Sequence, residues 1–459
     1  MSFAPYPTYK DSGVEWLGHV PEHWNVISIK WLSPVKRGAS PRPIDDLKYF
    51  DDDGEFAWVR IADVSACDGI LAETTQQLSA LGSSLSVKVA PGELFVSIAG
   101  TVGKPCISAI KACIHDGFVY FPSLEIDPKF LYRVFEGGTC YGGLGKWGTQ
   151  LNLNTDTIGS IRVALPASDE LQQVLAFLDR ETIKIDALVA EQRRLMTLLK
   201  EKRQAVISHA VTRGLNPNAS MKPSGIEWLG DVPAHWEVKR IKFVTANVKA
   251  GPFGSALTKD VYVSAGYRIY GQEQVIPNNF SIGDYFITPE KYGELSQYSV
   301  SPGDILISCV GTFGKIAIVP DTIEPGIINP RLIRLRCSQA VKAEYLVEVM
   351  RSNVTFEQFS SFTRGGTMDV INIGTLNEIF VALPPMKEQQ ELLIFVQHEI
   401  GKFDTLTAET QCAIDLLQER RTALISAAVT GQIDVRSAVV SALLHPQTAD
   451  NKRAQDYHP

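Results

Sequence analysis

The chain has 459 residues, 45% of them hydrophobic, with seven cysteines and a net charge of −7 from 44 Lys and Arg against 51 Asp and Glu. Such a chain is long enough for more than one folded domain. It has no apolar run long enough to span a bilayer as a helix, no secretory leader pattern at its start, and no Cys-x-x-Cys pair, so a membrane protein, a disulfide framework and a zinc finger are all disfavoured, and reduced thiols in a cytoplasm are expected. Taken alone, the acidic balance argues against a nucleic-acid partner, because phosphates are neutralised by clustered Lys and Arg, and such binding would have to rely on a local basic face or a basic partner.

The first element in chain order, Lys10 to Lys30, reads KDSGVEWLGHVPEHWNVISIK, and Lys222 to Lys242 reads KPSGIEWLGDVPAHWEVKRIK. Fourteen of these 21 aligned positions are identical across an offset of 212 residues. A period this long marks a duplicated domain rather than a solenoid array, whose period is about 20–50 residues. In each copy Trp16, Leu17 and Trp24, or Trp228, Leu229 and Trp236, are expected to pack in the core. His23 and His235 are read as capping or packing groups rather than bases.

Residues 1–166 read as mixed α/β with much β. The run from Pro91 to Lys104 aligns with Pro302 to Lys315, a short apolar strand followed by Gly-Thr-x-Gly-Lys. These runs lack the spacing and hydroxyl of a nucleotide-binding P-loop, so a tight turn presenting one Lys is the better reading. Gly137–Gly148 holds six glycines and reads as a loop. Val163-Ala-Leu-Pro166 then opens an uninterrupted amphipathic stretch, 169–211. Its apolar residues fall at heptad spacing: Leu171, Leu178, Ile185, Leu199 and Val206 on one position, Val174, Leu188 and Leu195 on the other. A helix of 43 residues spans roughly 64 Å. The copy at 387–429 repeats it with Val396, Phe403, Leu417 and Leu424, and with Leu392 and Leu406. Glu181 with Glu399, and Lys202 with Arg420, interrupt the two seams at equivalent places. Two amphipathic helices of equal length most simply pack on each other. Gly401 weakens the second. The tail from about Ser437 is polar and expected to be disordered.

Catalytic motifs are missing. The only Pro-Pro, Pro384-Pro385, follows Leu383 and so fails the Asn/Asp-Pro-Pro-aromatic pattern of an amino-methyltransferase, and the eight histidines form no metal-ligand pattern. The basic and amide residues best placed for phosphate or base contact are Lys36, Arg37, Arg42, Arg60, Lys104 and Lys146 in the first half. In the second half they are Lys249, Lys259, Arg268, Gln272, Lys315, Arg331 and Arg364. Each competes with the plainer reading of a solvated surface charge.

The paired SG-x-EWLG-x-VP-x-HW segments, the two Pro-Gly to Gly-Lys runs and the two Val-Ala-Leu-Pro helix entries together resemble the specificity (S) subunit of type I restriction–modification enzymes. Leu383 to Gln389 looks like that family's LPP-x-x-EQ signature, and Ile425 to Asp434 fits its closing segment. The first copy departs, with Ala167 for the second Pro and Leu171 where Gln389 stands. The resemblance covers residues 10 to about 436. It implies an α+β protein of two similar globular target recognition domains, 1–167 and 214–385, joined by two long antiparallel coiled-coil spacer helices, 168–213 and 386–436, in a pseudo-twofold repeat, with the tail at 437–459. It further implies that the chain performs no chemistry and binds an asymmetric bipartite site in double-stranded DNA. Two methyltransferase (M) subunits with S-adenosylmethionine would dock on the helices, and two restriction (R) subunits using ATP and Mg would complete the complex, without a membrane. The dissimilar stretches, about 36–88 and 249–299, would hold most base-reading residues. A self-contained DNA methyltransferase or nuclease, and a coiled-coil scaffold without DNA affinity, are the competing readings.

Overall fold

The structure is a computed structural model that describes residues 4–144, 153–253, 256–309, 315–363 and 371–436. It separates into two compact units, one containing the chain up to residue 192 together with the part from 412 onward, the other residues 193–411. This division cuts each long helix in two: every unit holds the first half of one helix and the second half of the other.

In the first unit a five-stranded sheet runs in the order Lys36–Arg37, Phe118–Tyr120, Leu94–Ser97, Pro105–Ser108, Ile70–Leu71, and a four-stranded sheet in the order Gln77–Leu78, Phe56–Val59, Ala112–Ile114, Val87–Val89. In the second unit the order is Thr245–Ala250, Leu332–Cys337, Ile305–Ser308, Ile316–Ile318 in one sheet and Phe286–Ile287, Tyr267–Tyr270, Gly326–Ile328 in another. Most pairings are antiparallel, with a parallel pair inside each smaller sheet. The repeated apolar runs Leu94–Ser97 and Ile305–Ser308 are buried at every residue. Such strands, covered on both faces, read as continuous apolar stretches rather than alternating ones.

The duplicated segment does the same work in both units. Asn25–Ser28 pairs with Arg162–Leu165, and Glu237–Arg240 with Phe380–Leu383, so the strand after the motif meets the strand that leads into a long helix. Trp24 and Trp236 are fully buried, as are Leu17 and Leu229. Trp16 is half-buried, whereas Trp228 is 39% exposed, against the expectation of a core position: neighbouring side chains in the Glu-Trp-Leu-Gly turn cannot both face inward, and Leu229 takes the inner place. His23 Nε2 lies 2.8 Å from Glu170 Oε2, and His235 Nε2 lies 2.8 Å from Glu388 Oε2. The two glutamates stand in the first turns of the helices Ser168–Arg213 and Met386–Val429, where a carboxylate also complements the positive end of the helix. The motif histidine thus ties each module to the start of its helix.

Each long helix is followed by a glycine in the left-handed region, Gly214 with φ 73° and Gly431 with φ 71°. These positions suit glycine for a second reason. A Cβ on Gly431 would come within 2.3 Å of Pro21, and one on Gly214 within 3.2 Å of Trp236, so each helix exit is pressed against a motif's Pro-x-x-Trp.

The seam of the helices runs one residue later than the sequence pattern indicates. Leu171, Val174, Leu178 and Ile185 are buried as expected. The partner position is Leu175, Thr182 and Val189, all buried, continuing through the half-buried Met196 and Arg203 to Ala210. Leu188 and Leu195 are therefore 51% and 42% exposed. In the second helix Leu392, Val396 and Phe403 are buried, and Leu393, Ile414 and Ala428 continue the stripe, while Leu406 is 45% exposed. Leu199, Leu417 and Leu424 are half-buried. A shift of one residue rotates a side chain by about 100° around a helix, which is enough to turn it from seam to surface. For the same reason Glu181, Lys202, Glu399 and Arg420 flank the stripe rather than interrupt it.

Candidate nucleic-acid interface

In the first unit the candidate surface forms at the ends of the strands around Phe56–Val59. That strand pairs with Gln77–Leu78 on one side and with Ala112–Ile114 on the other. Arg60 follows it immediately, is exposed, and donates from its guanidinium to Gln76 Oε1. Its own backbone N–H is held at 2.8 Å by Asp63, in the first turn of the helix Ile61–Ala66. Arg60 and Gln76 edge an open depression of about 620 Å³ that also meets Ile44, Leu47, Phe50 and Trp58, with Asp45, Asp52 and His115 on its border. Leu47 is 84% exposed at its lip. Burial holds the His115 imidazole below its ordinary pKa, which favours the neutral ring.

Lys36 and Arg37 are exposed on an edge strand. Arg37 donates to the Asp116 main-chain carbonyl, and Arg42 pairs with the Asp116 carboxylate at 3.2 Å, so two of the expected contacts converge on one residue. Lys104 is not free to meet a ligand. Its ammonium donates to the carbonyls of Ser65 at 3.1 Å and Cys67 at 2.8 Å, at the C-terminal end of the helix Ile61–Ala66, where a cation is favoured. The Gly-Thr-x-Gly-Lys turn therefore presents its lysine inward. Lys146 lies outside the described residues.

In the second unit Lys249 sits 5.4 Å from the ring centroid of Tyr298. Arg268 is buried, with its Nε 2.7 Å from Glu324 and further bonds to the carbonyls of Ile282 and Gly283. It is a structural tie and not a surface contact, because the guanidinium has been taken up by main-chain oxygens and one carboxylate. Gln272 donates to Ser308 Oγ at 2.6 Å. Lys315 and Arg331 are exposed. Lys259 opens a short 3-10 turn, Lys259–Val261, while Arg364 and the Gly311–Gly314 turn lie outside the described residues. The sequence reading missed two residues here. Arg334 and Arg336 flank Leu335 in the strand that pairs with Thr245–Ala250, and share the buried Asp304 at 3.9 and 3.0 Å. Only the strand register, which sets Lys249 opposite Arg334, could have revealed this cluster. The same unit carries an aromatic edge, Tyr262 and Tyr285, with ring centroids 5.2 Å apart and Tyr285 50% exposed.

Among the described residues no group of three or more His, Cys, Asp or Glu is placed to hold a metal ion, and no helix is long and apolar enough to cross a membrane. What the surface offers is a set of hydrogen-bonding and apolar side chains on strand ends and short loops. Such a set can recognise a partner's edge.

The family description "Type I restriction modification DNA specificity domain" matches residues 233–414. The specificity subunit of the type I restriction enzyme EcoKI from Escherichia coli strain K12 is 19% identical over 438 residues, covering 91% of this chain and 90% of that protein. The StySPI specificity subunit of Salmonella potsdam is 20% identical over 438 residues with the same coverage. A solved chain from a study of complex assembly and conformational transition in a type I R-M system has a TM-score of 0.68 at 14% identity, covering 90% of this chain and 99% of its own. At that identity the likeness speaks for the fold.

Proposed function

We propose that the chain is a specificity subunit of the type I restriction–modification family and that its two units read the two different halves of a split, asymmetric DNA sequence. The observation that carries this is the contrast between a duplicated frame and unlike edges. The motif, the His–Glu tie, the helix entry and the glycine exit recur in both units. The sheet edges bear Arg60 and Gln76 in one and Tyr262 and Tyr285 in the other.

The two long helices act as an antiparallel coiled coil that spaces the readers. In support, Arg421 pairs with Asp186 at 2.8 Å within the first unit, and Arg203 with Asp404 at 3.7 Å within the second. Moving from 186 to 203 along one helix corresponds to moving from 421 back to 404 along the other, 17 residues each way, as an antiparallel register requires. A helix of 46 residues is about 69 Å long, ample to hold two readers roughly one DNA turn of ~34 Å apart. The exposed apolar residues Leu188, Leu195 and Leu406, off the seam, suit the docking of two methyltransferase subunits. Those subunits carry S-adenosylmethionine and supply the chemistry, and two restriction subunits with ATP and Mg complete the assembly. This chain supplies recognition and not catalysis. Shared contact with DNA by the partners offsets its acidic net charge.

The test is co-expression with a cognate type I methyltransferase subunit, in a host free of background methylation, followed by single-molecule mapping of N6-methyladenine. A single bipartite motif that disappears when this chain is omitted is expected. Methylation or cleavage by this chain alone would instead establish an enzyme. Exchanging residues 36–150 for those of a related subunit should change one half of the motif and leave the other.

A further inference from the structure

The two units carry topologically equivalent strand ends with opposed surface chemistry. Trp58 N–H donates to the Gln76 carbonyl at 2.8 Å, and Ile269 N–H donates to the Tyr285 carbonyl at 2.9 Å. These bonds join the same two strands in each module, antiparallel to one neighbour, while the other neighbour, Ala112–Ile114 or Gly326–Ile328, runs parallel. Asp51 N–H to the Gln77 carbonyl matches Val263 N–H to the Phe286 carbonyl. Gln76 is therefore the counterpart of Tyr285, Phe50 of Tyr262, and Arg60, two residues beyond Trp58, of Gly271, two beyond Ile269. A side chain at Gly271 is not simply missing: a Cβ there would come within 2.5 Å of Asn329 Nδ2.

Taking the proposed function as its basis, we propose that this edge is the base-reading head of each unit, with Arg60, oriented by Gln76, reading a guanine in one half-site, and the Tyr262–Tyr285 edge reading a different base in the other.

The chemistry selects bases over phosphates in the first unit. Asp45 and Asp52 border the depression together with Arg60 and Gln76, and carboxylates repel a phosphate backbone. A base edge presents both donors and acceptors, so it tolerates the acids while using the guanidinium. With Gln76 Oε1 accepting from Arg60, the fork is held in place, its remaining N–H groups can reach guanine O6 and N7, and the Gln76 amide still has N–H to donate. Leu47, 84% exposed at the lip, offers an apolar contact of the sort a thymine methyl makes. In the second unit the half-exposed Tyr285 takes the place of the amide, Tyr262 that of Phe50, and Gly271 leaves the place of the fork without a side chain, so that edge offers ring faces and hydroxyls. Unlike edges on one frame are what an asymmetric target requires.

The experiment maps N6-methyladenine made by the co-expressed complex with the methyltransferase subunit, comparing wild type with Arg60→Ala, Arg60→Lys, Gln76→Ala and Tyr285→Ala. Arg60→Ala is expected to relax one guanine position in one half-site, lowering discrimination there roughly 5- to 150-fold. Arg60→Lys, which keeps the charge and loses the fork, should relax the same position. Gln76→Ala should loosen it less, and Tyr285→Ala should alter only the other half. An unchanged motif in Arg60→Ala and Gln76→Ala overturns the assignment while leaving the proposed function standing. So does a change by Arg60→Ala and Tyr285→Ala in the same half, or loss of all methylation from an intact complex. A wild-type complex with no bipartite motif removes the proposed function and this inference together.

Discussion

The short helices that lean on the long ones, Pro128–Gly137 in the first unit and Ala343–Arg351 in the second, carry the same job with reversed charge. In the first, Arg133 pairs with Glu136 at 2.7 Å; in the second, Glu348 precedes Arg351 and pairs with it at 3.3 Å. Arg133 also reaches Asp179, and Glu136 meets Arg421, so the first helix is bound to both long helices by ions. The second helix is bound by Tyr345, fully buried, whose hydroxyl donates to the Ala382 carbonyl at 2.9 Å and lies 3.4 Å from that of Val211, where Phe130 stands in the other unit. Duplicated modules keep a contact's position and are free to change the chemistry that makes it.

That comparison can be broken or sharpened by substitution. The largest effects should be equal in the two units: Trp24→Ala and Trp236→Ala each remove a fully buried indole and should cost about 3–5 kcal/mol in urea unfolding. Unequal losses would show that the motif anchors one unit more than the other. Next comes an asymmetry. Arg421→Ala takes from Glu136, only 14% exposed and still held by Arg133, one of its two ion pairs and removes the pair of Asp186, and should cost about 1–2 kcal/mol. Its counterpart Arg203→Ala gives up one long pair between exposed groups and should cost less than about 0.5 kcal/mol.

Tyr345→Phe should cost about 1 kcal/mol through its lost hydroxyl bonds. Burial keeps this phenol neutral with its pKa raised, so its contribution is complete at neutral pH and is lost as pH rises past the unfolded value of about 10, and Tyr345→Phe should flatten that alkaline limb. Gly401→Ala is expected to stabilise by about 0.5–1 kcal/mol, since the position is helical, exposed and open; the first helix carries the exposed Ile183 at that place. The smallest effect is on the acid side. Arg436 holds the Asp434 carboxyl below the ordinary carboxylate value, so this tie stabilises above about pH 3.9 and fades as pH falls through the lowered pKa. Asp434→Asn should soften that limb; no change would remove the tie from the closing segment.

Much of the frame was legible in the chain. The motif, the strand that enters each helix and the helices themselves are written as local patterns, so identity between the copies marks what both units need. The buried stripe of the helices was legible only to within one residue, because the apolar residues of 169–211 permit two neighbouring stripes and tertiary packing selects between them. That is why Leu188, Leu195 and Leu406 read as seam and lie on the surface. The family signature's Gln389 shows the same limit. Buried and bonded to the carbonyls of Pro384 and Ala340, it has a leucine, Leu171, in its place in the other copy, and each suits its own surroundings.

The sequence by itself determined the duplication, the order of elements and the pool of polar residues from which recognition is drawn, because these follow from spacing and residue type. Only the tertiary structure decided which members of that pool are spent internally. Lys104 and Arg268 bond to main-chain oxygens, and Arg37 and Arg42 gather on Asp116, while Arg60 faces outward with Gln76. Those partners are 14 to 79 residues distant along the chain for the named bonds, and a long cationic side chain commits to whichever acceptor the fold brings within reach.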